Sequence, residues 1–453
     1  MPEISIPWGD APLAVNLPAE WSVQQVAEPS ASAAGEGWGD RLATALSHPE
    51  HMPPLDELLL AARGGRIVLV VEDMTRHSPL PEILEIVFRE IEQAGVSDGD
   101  VEIVIATGTH PPLTAAEAAQ KLGRFAARIA WRCNDCRGSN AYVNLGRIHP
   151  GPSAGGGMDL WLDRGVVEAR LRIVITSVSP HMHAGFGGGW KMLLPGCAML
   201  ESITRLHAAG VPRRPRQQVG QQRQANRMRR LVDAAGPLLG AAGGTTFGIQ
   251  YVLEAHGGAD GRDRVGPIAV GEVQACHEML AKMCAARCGV LIDNPADVVI
   301  ANAWPRDFDL WQSMKAIANC CWAARPNGVI ICMTRCVAGV NKMPIMSLPV
   351  SPGMVRGFVR LLGADALASL MTRLVPRLSG DAAFFVRLAM QTVQRNLIIL
   401  VSPTLAKAGV KVLGLPLVGD PAEAVALAQR HLGKGPQRVT VFPQGGVSYP
   451  IGR

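Results

Sequence analysis

Along the chain, short runs of apolar residues alternate with segments whose apolar residues recur every three or four positions. The short runs are typical of strands buried in a sheet, and they fall at 66–72, 100–106, 172–177, 297–301, 328–333, 411–415 and 438–442. The helical spacing is clearest in three of the intervals, at 81–94, 310–320 and 421–431. Thr114 and Glu117 have the spacing of a capping box and predict the start of a further helix. Strands that alternate with helices predict an α/β fold with mostly parallel sheets.

The length of the chain favours two such domains. A chain of 453 residues exceeds what one compact core usually holds. The alternation of strands and helices restarts after a predicted connecting helix at 281–287. We therefore predict an N-terminal α/β domain over 1–285 and a C-terminal α/β domain over 286–453.

The composition is that of a globular protein with a small net charge. Hydrophobic residues make up 48% of the chain, and 44 Lys and Arg against 38 Asp and Glu give a net charge of +6. Part of the excess lies in an arginine-rich segment at 213–230, where the arginines are interleaved with glutamines and no aromatic residue occurs. Nucleic-acid-binding surfaces usually combine basic residues with stacking aromatic ones. We therefore interpret this segment as a solvated loop and helix face and expect no nucleic-acid partner.

The sequence gives no indication of export or of a membrane span. The first residues lack a basic segment followed by an apolar run, and no stretch reaches the ~20 apolar residues that a span requires. We therefore expect a cytoplasmic protein. Its ten cysteines are then expected to be reduced thiols, because the cytoplasm keeps thiols reduced. Cys133 and Cys136 form a C-x-x-C, but the second pair of a zinc site is missing from the sequence.

Polar clusters follow several of the predicted strands. They occupy 72–79, 106–111, 179–191 and 302–307, and Gln312 and Lys315 follow the last of them. A single histidine or glycine-rich turn in such a place is often structural. Ligands of open α/β sheets bind outside the carboxyl ends of the strands, and all four clusters contain His, Lys, Arg or Asp. Together they predict a functional site.

The glycine-dense loop at 183–189 resembles two nucleotide-binding motifs but matches neither. A P-loop needs Ser or Thr after its lysine, whereas Met192 follows Lys191. A dinucleotide fingerprint that began at Gly185 would need a glycine at the position of Trp190. The loop would still let the backbone approach a ligand closely, which suits a bulky nucleotide-like cofactor.

Over nearly its whole length the chain resembles the lactate racemase family. The strings that carry the resemblance are Asp73-x-x-Arg76-x-x-Pro79, Gly108-Thr109-His110, the run from Pro180-His181 through Ala184-Gly185-Phe186, Gly188-Gly189 and Lys191 to Pro195-Gly196, and Gln312-x-x-Lys315. The strings match the family in their order as well as in their spacing, and this combined match is more specific than a match to any single motif.

The resemblance implies a nickel-pincer nucleotide, a pyridinium-3,5-bisthiocarboxylic acid mononucleotide that holds nickel through sulfur, carbon and sulfur. The residues implied to hold it are Lys191 as the covalent thioamide attachment, His207 as the protein ligand to nickel, and Asp73, Thr75, Gly188 and Gly189 as further contacts. The implied catalytic residues are His110 and His181 as paired bases, with Arg76, Gln312 and Lys315 on the substrate carboxylate. The N-terminal domain would then hold the cofactor, the C-terminal domain would contribute substrate-binding residues, and the active site would lie in an interdomain cleft.

These implied roles fit the inversion of a 2-hydroxy acid. The C–H beside a carboxylate is a poor acid, whereas loss of hydride to the electron-poor cofactor leaves a planar 2-keto acid that accepts hydride on either face. A base must take the hydroxyl proton, and two histidines that titrate near neutrality could serve the two alkoxide positions. An arginine and a lysine together can bind the carboxylate, and imidazole suits nickel.

Two other functions remain open from the sequence. One is a hydride-transfer oxidoreductase that releases the 2-keto acid, and the other is a cofactor- or ligand-binding homologue without turnover. The presence of both His110 and His181 favours an enzyme, because binding alone needs no pair of bases. A small 2-hydroxy acid and, transiently, cofactor-biosynthesis proteins are the expected partners, and a homo-oligomer is possible. Trp190, Trp304 and Trp311 could reshape the pocket for a larger substrate or could be core residues, and His183 is an additional histidine near the site.

Overall fold

The computed structural model describes residues 2–30, 37–138, 141–151, 157–210, 216–254, 264–341, 351–374, 381–412 and 414–452. The chain forms two compact units. The N-terminal unit comprises Ala31–Gly210 and Gln221–Ala285, and the C-terminal unit comprises Met1–Ser30, Val211–Gly220 and Ala286–Arg453.

The strands are short and mostly apolar. In chain order they are β1 (Glu3–Ile6), β2 (Leu13–Asn16), β3 (Trp21–Val26), β4 (Ile67–Val71), β5 (Val101–Ile105), β6 (Ala130–Cys133), β7 (Tyr142–Ile148), β8 (Met158–Asp163), β9 (Leu171–Val178), β10 (Pro180–His181), β11 (Gly185–Phe186), β12 (Thr245–Glu254), β13 (Arg264–Gly271), β14 (Gly289–Leu291), β15 (Ala296–Asn302), β16 (Ala324–Met333), β17 (Leu397–Val401), β18 (Leu417–Val418), β19 (Gln437–Phe442) and β20 (Tyr449–Ile451).

The helices fill the intervals between the strands. They are α1 (Trp38–Ser47), α2 (Leu55–Ala62), α3 (Leu80–Gln93), α4 (Ala115–Leu122), α5 (Phe125–Arg128), α6 (Arg164–Val167), α7 (Leu200–Gly210), α8 (Arg227–Asp233), α9 (Ala235–Ala241), α10 (Val273–Cys288), α11 (Leu310–Cys320), α12 (Pro352–Leu362), α13 (Ala364–Leu374), α14 (Asp381–Arg395), α15 (Pro403–Lys407) and α16 (Pro421–Leu432).

The N-terminal unit is built on a six-stranded sheet in the order β13-β12-β9-β4-β5-β6. Neighbouring strands are parallel except for β13, which is antiparallel to β12. Successive residues of β4 face opposite sides of the sheet, so Leu69 and Val71 belong to one hydrophobic cluster and Val68 and Val70 to another. Because both faces of the sheet are buried, every position of β4 is apolar.

The C-terminal unit contains a second six-stranded sheet, in the order β18-β17-β16-β15-β19-β3, and all of its strand pairs are parallel. Its two faces are also buried. Val299 and Ala301 of β15 lie in one cluster, and Val298 and Ile300 lie in the other. The predicted α/β fold with mostly parallel sheets is therefore confirmed.

Most predicted elements occur where the hydrophobic pattern placed them, and the capping box of Thr114 and Glu117 begins α4. The strand predicted at 411–415 is wrong. In the described part of this segment the only pairing is an isolated bridge between Val412 and Leu415, and the next strand is β18. Gly414 has a φ of 75°, and this left-handed conformation turns the chain where a strand would continue.

The first thirty residues lie with the C-terminal unit, although the sequence suggested a domain over 1–285. The reason is strand pairing: β3 is hydrogen-bonded to β19, with Trp21 opposite Gln437 and Val23 opposite Val439. The hydrophobic pattern of a strand shows that it will pair but does not show with which partner.

The arginine-rich segment is not uniformly solvated. Arg213 and Arg214 lie outside the described residues, and the Arg223 side chain is 44% exposed. Arg229, in contrast, is 1% exposed and forms an ion pair with Asp233 one helical turn later. The interpretation as a solvated face is therefore wrong for Arg229, because its side chain enters the core rather than solvent.

All ten cysteines are free thiols, and nine of them are buried. Among the described helices, none has the length and apolar character needed to cross a membrane.

The buried carboxylate of Asp163 provides a test of the fold. It accepts hydrogen bonds from Arg132 at 2.6 and 2.7 Å and from the backbone N–H of Val166 at 3.0 Å, where it caps α6. We expect Asp163→Ala to lower the free energy of unfolding by about 2–3 kcal/mol, since a cap and a partly buried ion pair are lost together. Thermal or urea unfolding measures the change. Asp159→Ala is the control, since Asp159 lies 3.6 Å from Arg147 at the surface, and an equal loss in both variants would contradict the prediction.

Candidate active site

The order of strands in the N-terminal unit creates a switch point between β9 and β4. The chain leaves β4 toward β5 on one side and leaves β9 toward β12 on the other. Loops that diverge in this way leave a crevice at the carboxyl ends of the strands, where ligands of doubly wound sheets bind. The loop after β4 carries Asp73, Thr75 and Arg76, and the loop after β9 carries His181 and Lys191.

Glu72 joins the strand ends beneath this crevice. Its carboxylate is 3% exposed and accepts hydrogen bonds from the backbone N–H and the hydroxyl of Ser177, both at 2.5 Å. It also accepts the hydroxyls of Ser78 at 2.9 Å and Tyr251 at 3.2 Å. Burial and the nearby Glu72 charge raise the pKa of Tyr251 well above its usual value. The ends of β4, β9 and β12 are thus held by one carboxylate.

The Asp73 side chain points away from that of Glu72 and contacts His110, which lies in the loop after β5. Its Oδ2 accepts a hydrogen bond from Nδ1–H of His110, and its Oδ1 accepts the Thr75 backbone N–H at 3.0 Å and the Thr75 hydroxyl at 2.5 Å. Arg76 is positioned by the same threonine, whose hydroxyl lies 3.1 Å from Nη1. Burial alone would raise the pKa of Asp73, but the contacts with His110 and Thr75 and the charge of Arg76 hold it well below its usual range.

His110 therefore presents a defined tautomer. Because the N–H group at Nδ1 donates a hydrogen bond to Asp73, Nε2 of the neutral ring carries no proton and has the lone pair. A carboxylate that receives Nδ1–H also stabilises the imidazolium that forms when Nε2 takes a proton. This is the arrangement of a general base.

Lys191 and His207 are both neutral enough at neutral pH to act as nucleophile or ligand. Desolvation, together with the charges of Arg76 and Arg229, lowers the pKa of Lys191 to about 7, and the charge of Asp73 opposes this shift. Burial lowers the pKa of His207 on α7 to about 4, and Lys191 and His110 contribute in the same direction. These electrostatic interactions place Lys191, His207, His110 and Asp73 in one neighbourhood of the N-terminal unit.

His181 has a different hydrogen-bonding pattern from His110. Its Nδ1 accepts the backbone N–H groups of His183 at 3.2 Å and Ala184 at 3.1 Å. The neutral ring must then carry its proton on Nε2, so that atom is a donor. His183 is 3% exposed, and its ring is packed edge-on against His181 at 6.0 Å.

The glycines at 188 and 189 are required by the protein itself. Gly188 has a φ of 83°, and a Cβ there would lie 2.9 Å from the carbonyl oxygen of Ser177. Gly189 has a φ of 60°, and its Cβ would lie 3.0 Å from the ring of His277. Close packing of the loop on β9 and α10 explains both glycines. Trp190 is 8% exposed and belongs to a hydrophobic core cluster, which favours the core interpretation of this tryptophan.

Gln312 and Lys315 lie together on α11 of the C-terminal unit. Asp309 caps this helix by accepting the backbone N–H of Gln312 at 2.7 Å. The ammonium of Lys315 donates to Oε1 of Gln312. The pair presents an ammonium and an amide side by side, a combination that can bind a carboxylate.

Sequence reasoning missed the residues that support the glycine loop from behind. Arg229 donates from Nη1 to the carbonyl oxygens of Gly188 at 3.2 Å and Phe186 at 3.4 Å. His277 donates from Nε2 to the carbonyl oxygen of Gly187 at 3.0 Å. The spacing of Arg229 and Asp233 at i and i+4 on one helix was the available signal for a paired arginine.

Lys121 was also missed. This lysine of α4 is 5% exposed, and its ammonium donates to the carbonyl oxygen of Arg76 at 2.7 Å and lies 3.3 Å from the Ser78 hydroxyl. It fixes the backbone of the loop after β4. No local pattern distinguishes it from a surface lysine of an amphipathic helix.

The described residues include no group of three or more His, Cys, Asp or Glu side chains that could hold a metal ion. The donor set nevertheless fits a tethered cofactor with a metal of its own. A neutral amine is needed to form an amide-type bond, and a neutral imidazole is needed to coordinate a metal, and Lys191 and His207 offer these groups.

Comparison with known proteins links the chain to enzymes of one kind. The model of the lactate racemase N-terminal domain matches residues 8–220. The chain is 28% identical over 347 residues to a lactate racemase of Thermoanaerobacterium thermosaccharolyticum, covering 75% of this chain and 76% of that enzyme. It is 26% identical over 298 residues to a lactate racemase of Lactiplantibacillus plantarum, covering 63% of each.

Two solved structures share the fold. The lactate racemase apoprotein from Thermoanaerobacterium thermosaccharolyticum superimposes with a TM-score of 0.78 at 23% identity over the full length of both chains. A crystal structure of a protein from Thermotoga maritima gives a TM-score of 0.63 at 16% identity, covering 92% of this chain and 98% of that one. The family model over residues 8–220, the two sequence relatives and the shared fold agree, and all of them link the chain by similarity to lactate racemases, which are isomerases.

Proposed function

We propose that the protein inverts the C2 stereocentre of a 2-hydroxy acid, with lactate as the first candidate substrate, and that a lysine-tethered nickel-pincer nucleotide is its cofactor. The relatives named lactate racemase support racemase activity on lactate. The observation that carries the proposal is the Asp73–His110 pair beside Arg76, Lys191 and His207 in one unit. It combines a base, a cation for a carboxylate and two groups suited to holding the cofactor.

Lys191 and His207 are the residues that would hold the cofactor. The amine of Lys191 has the lowered pKa that a covalent tether requires, and the imidazole of His207 remains unprotonated at neutral pH. When bound, the cofactor supplies an acceptor for hydride, which makes the hydroxyl-bearing carbon planar. Arg229 and His277 hold the loop that leads to Lys191 and so keep the tether in place.

His110 is the proposed base. Nε2 takes the proton of the substrate hydroxyl, and the carboxylate of Asp73 stabilises the charge that develops on the ring. The paired-base hypothesis assigns the same role to His181 for the opposite enantiomer. The hydrogen bonds of His181 favour a different role, because a ring whose Nδ1 accepts two N–H groups offers Nε2–H as a donor to the substrate oxygen.

Arg76 and the Gln312–Lys315 pair are the proposed carboxylate-binding groups. The guanidinium of Arg76 is oriented by Thr75 and carries a permanent charge. Lys315 adds a second positive charge and Gln312 an uncharged hydrogen-bonding group. A carboxylate is the one charged group that every 2-hydroxy acid shares, so each of these groups is chemically suited to the common end of the substrate.

The tether and the metal ligand can be tested on protein co-expressed with the cofactor-making enzymes. Lys191→Ala should remove the covalent adduct from the intact mass, because no other amine replaces the thioamide nitrogen. His207→Ala should retain the adduct and lose most of the bound nickel in elemental analysis, since the imidazole ligand is gone. Lys282→Ala and His48→Ala, both exposed positions, are the matched controls. Full nickel content in His207→Ala would exclude this ligand.

The role of Asp73 gives a second test. In Asp73→Asn the ring of His110 loses the charge that stabilises its protonated form, so kcat for racemisation should fall about 10²- to 10⁴-fold. Chiral chromatography of each enantiomer measures the rate, and intact mass checks that cofactor loading is unchanged. Asp56→Asn, at an exposed site, should keep the wild-type rate. A kcat within threefold of wild type in fully loaded Asp73→Asn would show that the pair is structural.

A third test separates the two roles of His181. Gln places an amide N–H near the position of Nε2, whereas Asn reaches only the position of Nδ1. If His181 is a donor, His181→Gln should retain about ten times the activity of His181→Asn for both enantiomers. If His181 is instead a base for one enantiomer, both variants should lose oxidation of that enantiomer and keep oxidation of the other, measured as 2-keto acid formed in a single turnover.

A further inference from the structure

The C-terminal unit contains a buried arginine whose charge no described residue neutralises. Arg356 of α12 is 8% exposed, and its Nη1 lies 3.3 and 3.5 Å from the ring nitrogens of His431 on α16. Its Nε and Nη2 are shielded from solvent and donate to no atom of the described residues. Among the described residues, one edge of the guanidinium therefore has no hydrogen-bond acceptor.

That edge is the part of an arginine that binds oxyanions. Elsewhere in the chain the same two nitrogens hold both oxygens of a carboxylate, as Arg387 does with Asp365 at 2.7 and 2.7 Å and Arg128 with Asp98 at 2.7 and 2.7 Å. The parallel N–H bonds of Nε and Nη2 match the spacing of two oxygens on one carbon or phosphorus atom.

Arg172 shows that a buried arginine does not have to lack hydrogen-bond acceptors. It is fully buried without a carboxylate, yet Nε donates to the Thr246 hydroxyl at 2.9 Å and Nη2 to the carbonyl oxygen of Gly243 at 2.6 Å. Its Nη1 donates to the carbonyl oxygen of Val167 at 2.9 Å. A hydroxyl and backbone oxygens thus satisfy Arg172, whereas Nε and Nη2 of Arg356 have no such acceptor among the described residues.

The surroundings of Arg356 are positive. Burial and the charge of Arg360 lower the pKa of Arg356 to about 10. Burial and the charges of Arg356, Arg360 and Arg325 lower the pKa of His431. Arg360 donates to the amide oxygen of Asn327 at 2.6 Å, an uncharged partner.

The carboxylate of Asp297, the ion-pair partner of Arg325, is already engaged. Asp297 accepts a hydrogen bond from Nε of Arg325 at 2.6 Å and another from the backbone N–H of Arg438 at 2.8 Å. No carboxylate of the described residues forms an ion pair with Arg356 or Arg360. A buried charge without a counter-charge is costly, so an anion would be strongly favoured here.

We propose that Arg356, Arg360 and His431 form a binding site for a small oxyanion, a carboxylate or a phosphate. Two oxygens of the anion bind the Nε–Nη2 edge of Arg356, and Arg360 supplies the second positive charge. Because the edge is shielded, a neighbouring side chain must move to admit the anion. None of these residues has a role in the proposed racemisation, so the proposal stands apart from it.

The test uses the full-length apoprotein at constant ionic strength, titrated in separate arms with inorganic phosphate and with acetate. We expect wild type to bind at least one of the two anions saturably in calorimetry, with a matching rise in the thermal midpoint. Arg356→Met, of similar size and uncharged, should abolish this response. Arg373→Gln, which changes an exposed arginine of the neighbouring α13, should bind like wild type. The stronger arm identifies the anion as a phosphate or a carboxylate.

Two milder variants keep the test decisive if Arg356→Met fails to fold. Arg360→Gln and His431→Gln should each raise the dissociation constant about tenfold, the effect of one lost charge-assisted hydrogen bond. Saturable binding that is equal in wild type and Arg356→Met would overturn the proposal. So would wild-type affinity in both milder variants, or the absence of binding in both arms with folded wild type.

Discussion

The carboxylate of Glu72 is the constraint on which the proposed site depends. A buried carboxylate needs donors for both oxygens, and here the donors come from Ser78, Ser177 and Tyr251. These residues follow β4 or belong to β9 and β12, so satisfying one charge fixes the carboxyl ends of three strands. The loops that leave those ends then begin from fixed positions, which is a requirement for groups that must meet at one substrate carbon.

The geometry of the end of β4 places Asp73 in the crevice. Adjacent residues at a strand end project to opposite sides, so Glu72 faces the core while Asp73 faces the crevice and His110. Lys121 and Thr75 then fix the backbone and side chain of Arg76, and Arg229 and His277 fix the loop before Lys191. The groups proposed to act on the substrate are thus supported by others that do not contact it.

Buried arginines in the two units show how the same residue type meets different electrostatic needs. Arg229 is neutralised by Asp233 and also donates to loop carbonyls. Arg172 has only neutral acceptors, which suffice for hydrogen bonding. Among the described residues Arg356 has neither a carboxylate nor a carbonyl oxygen as acceptor, and this difference rather than burial itself identifies it as a candidate ligand-binding residue.

The sequence by itself determined the features that depend on neighbouring residues. Apolar runs located β4, β5 and β9, the Thr114–Glu117 spacing located the start of α4, and the polar clusters after the strands located Asp73, His110 and Lys191. Only the tertiary structure decided which strands pair, as for β3 and β19, which nitrogens of His110 and His181 are engaged, and which arginines are buried. The physical reason is that periodicity is set over a few residues, whereas pairing, tautomer and burial are set by groups distant in the chain. An arginine among glutamines has the same local pattern whether its side chain is 44% exposed, as that of Arg223 is, or 1% exposed, as that of Arg229 is.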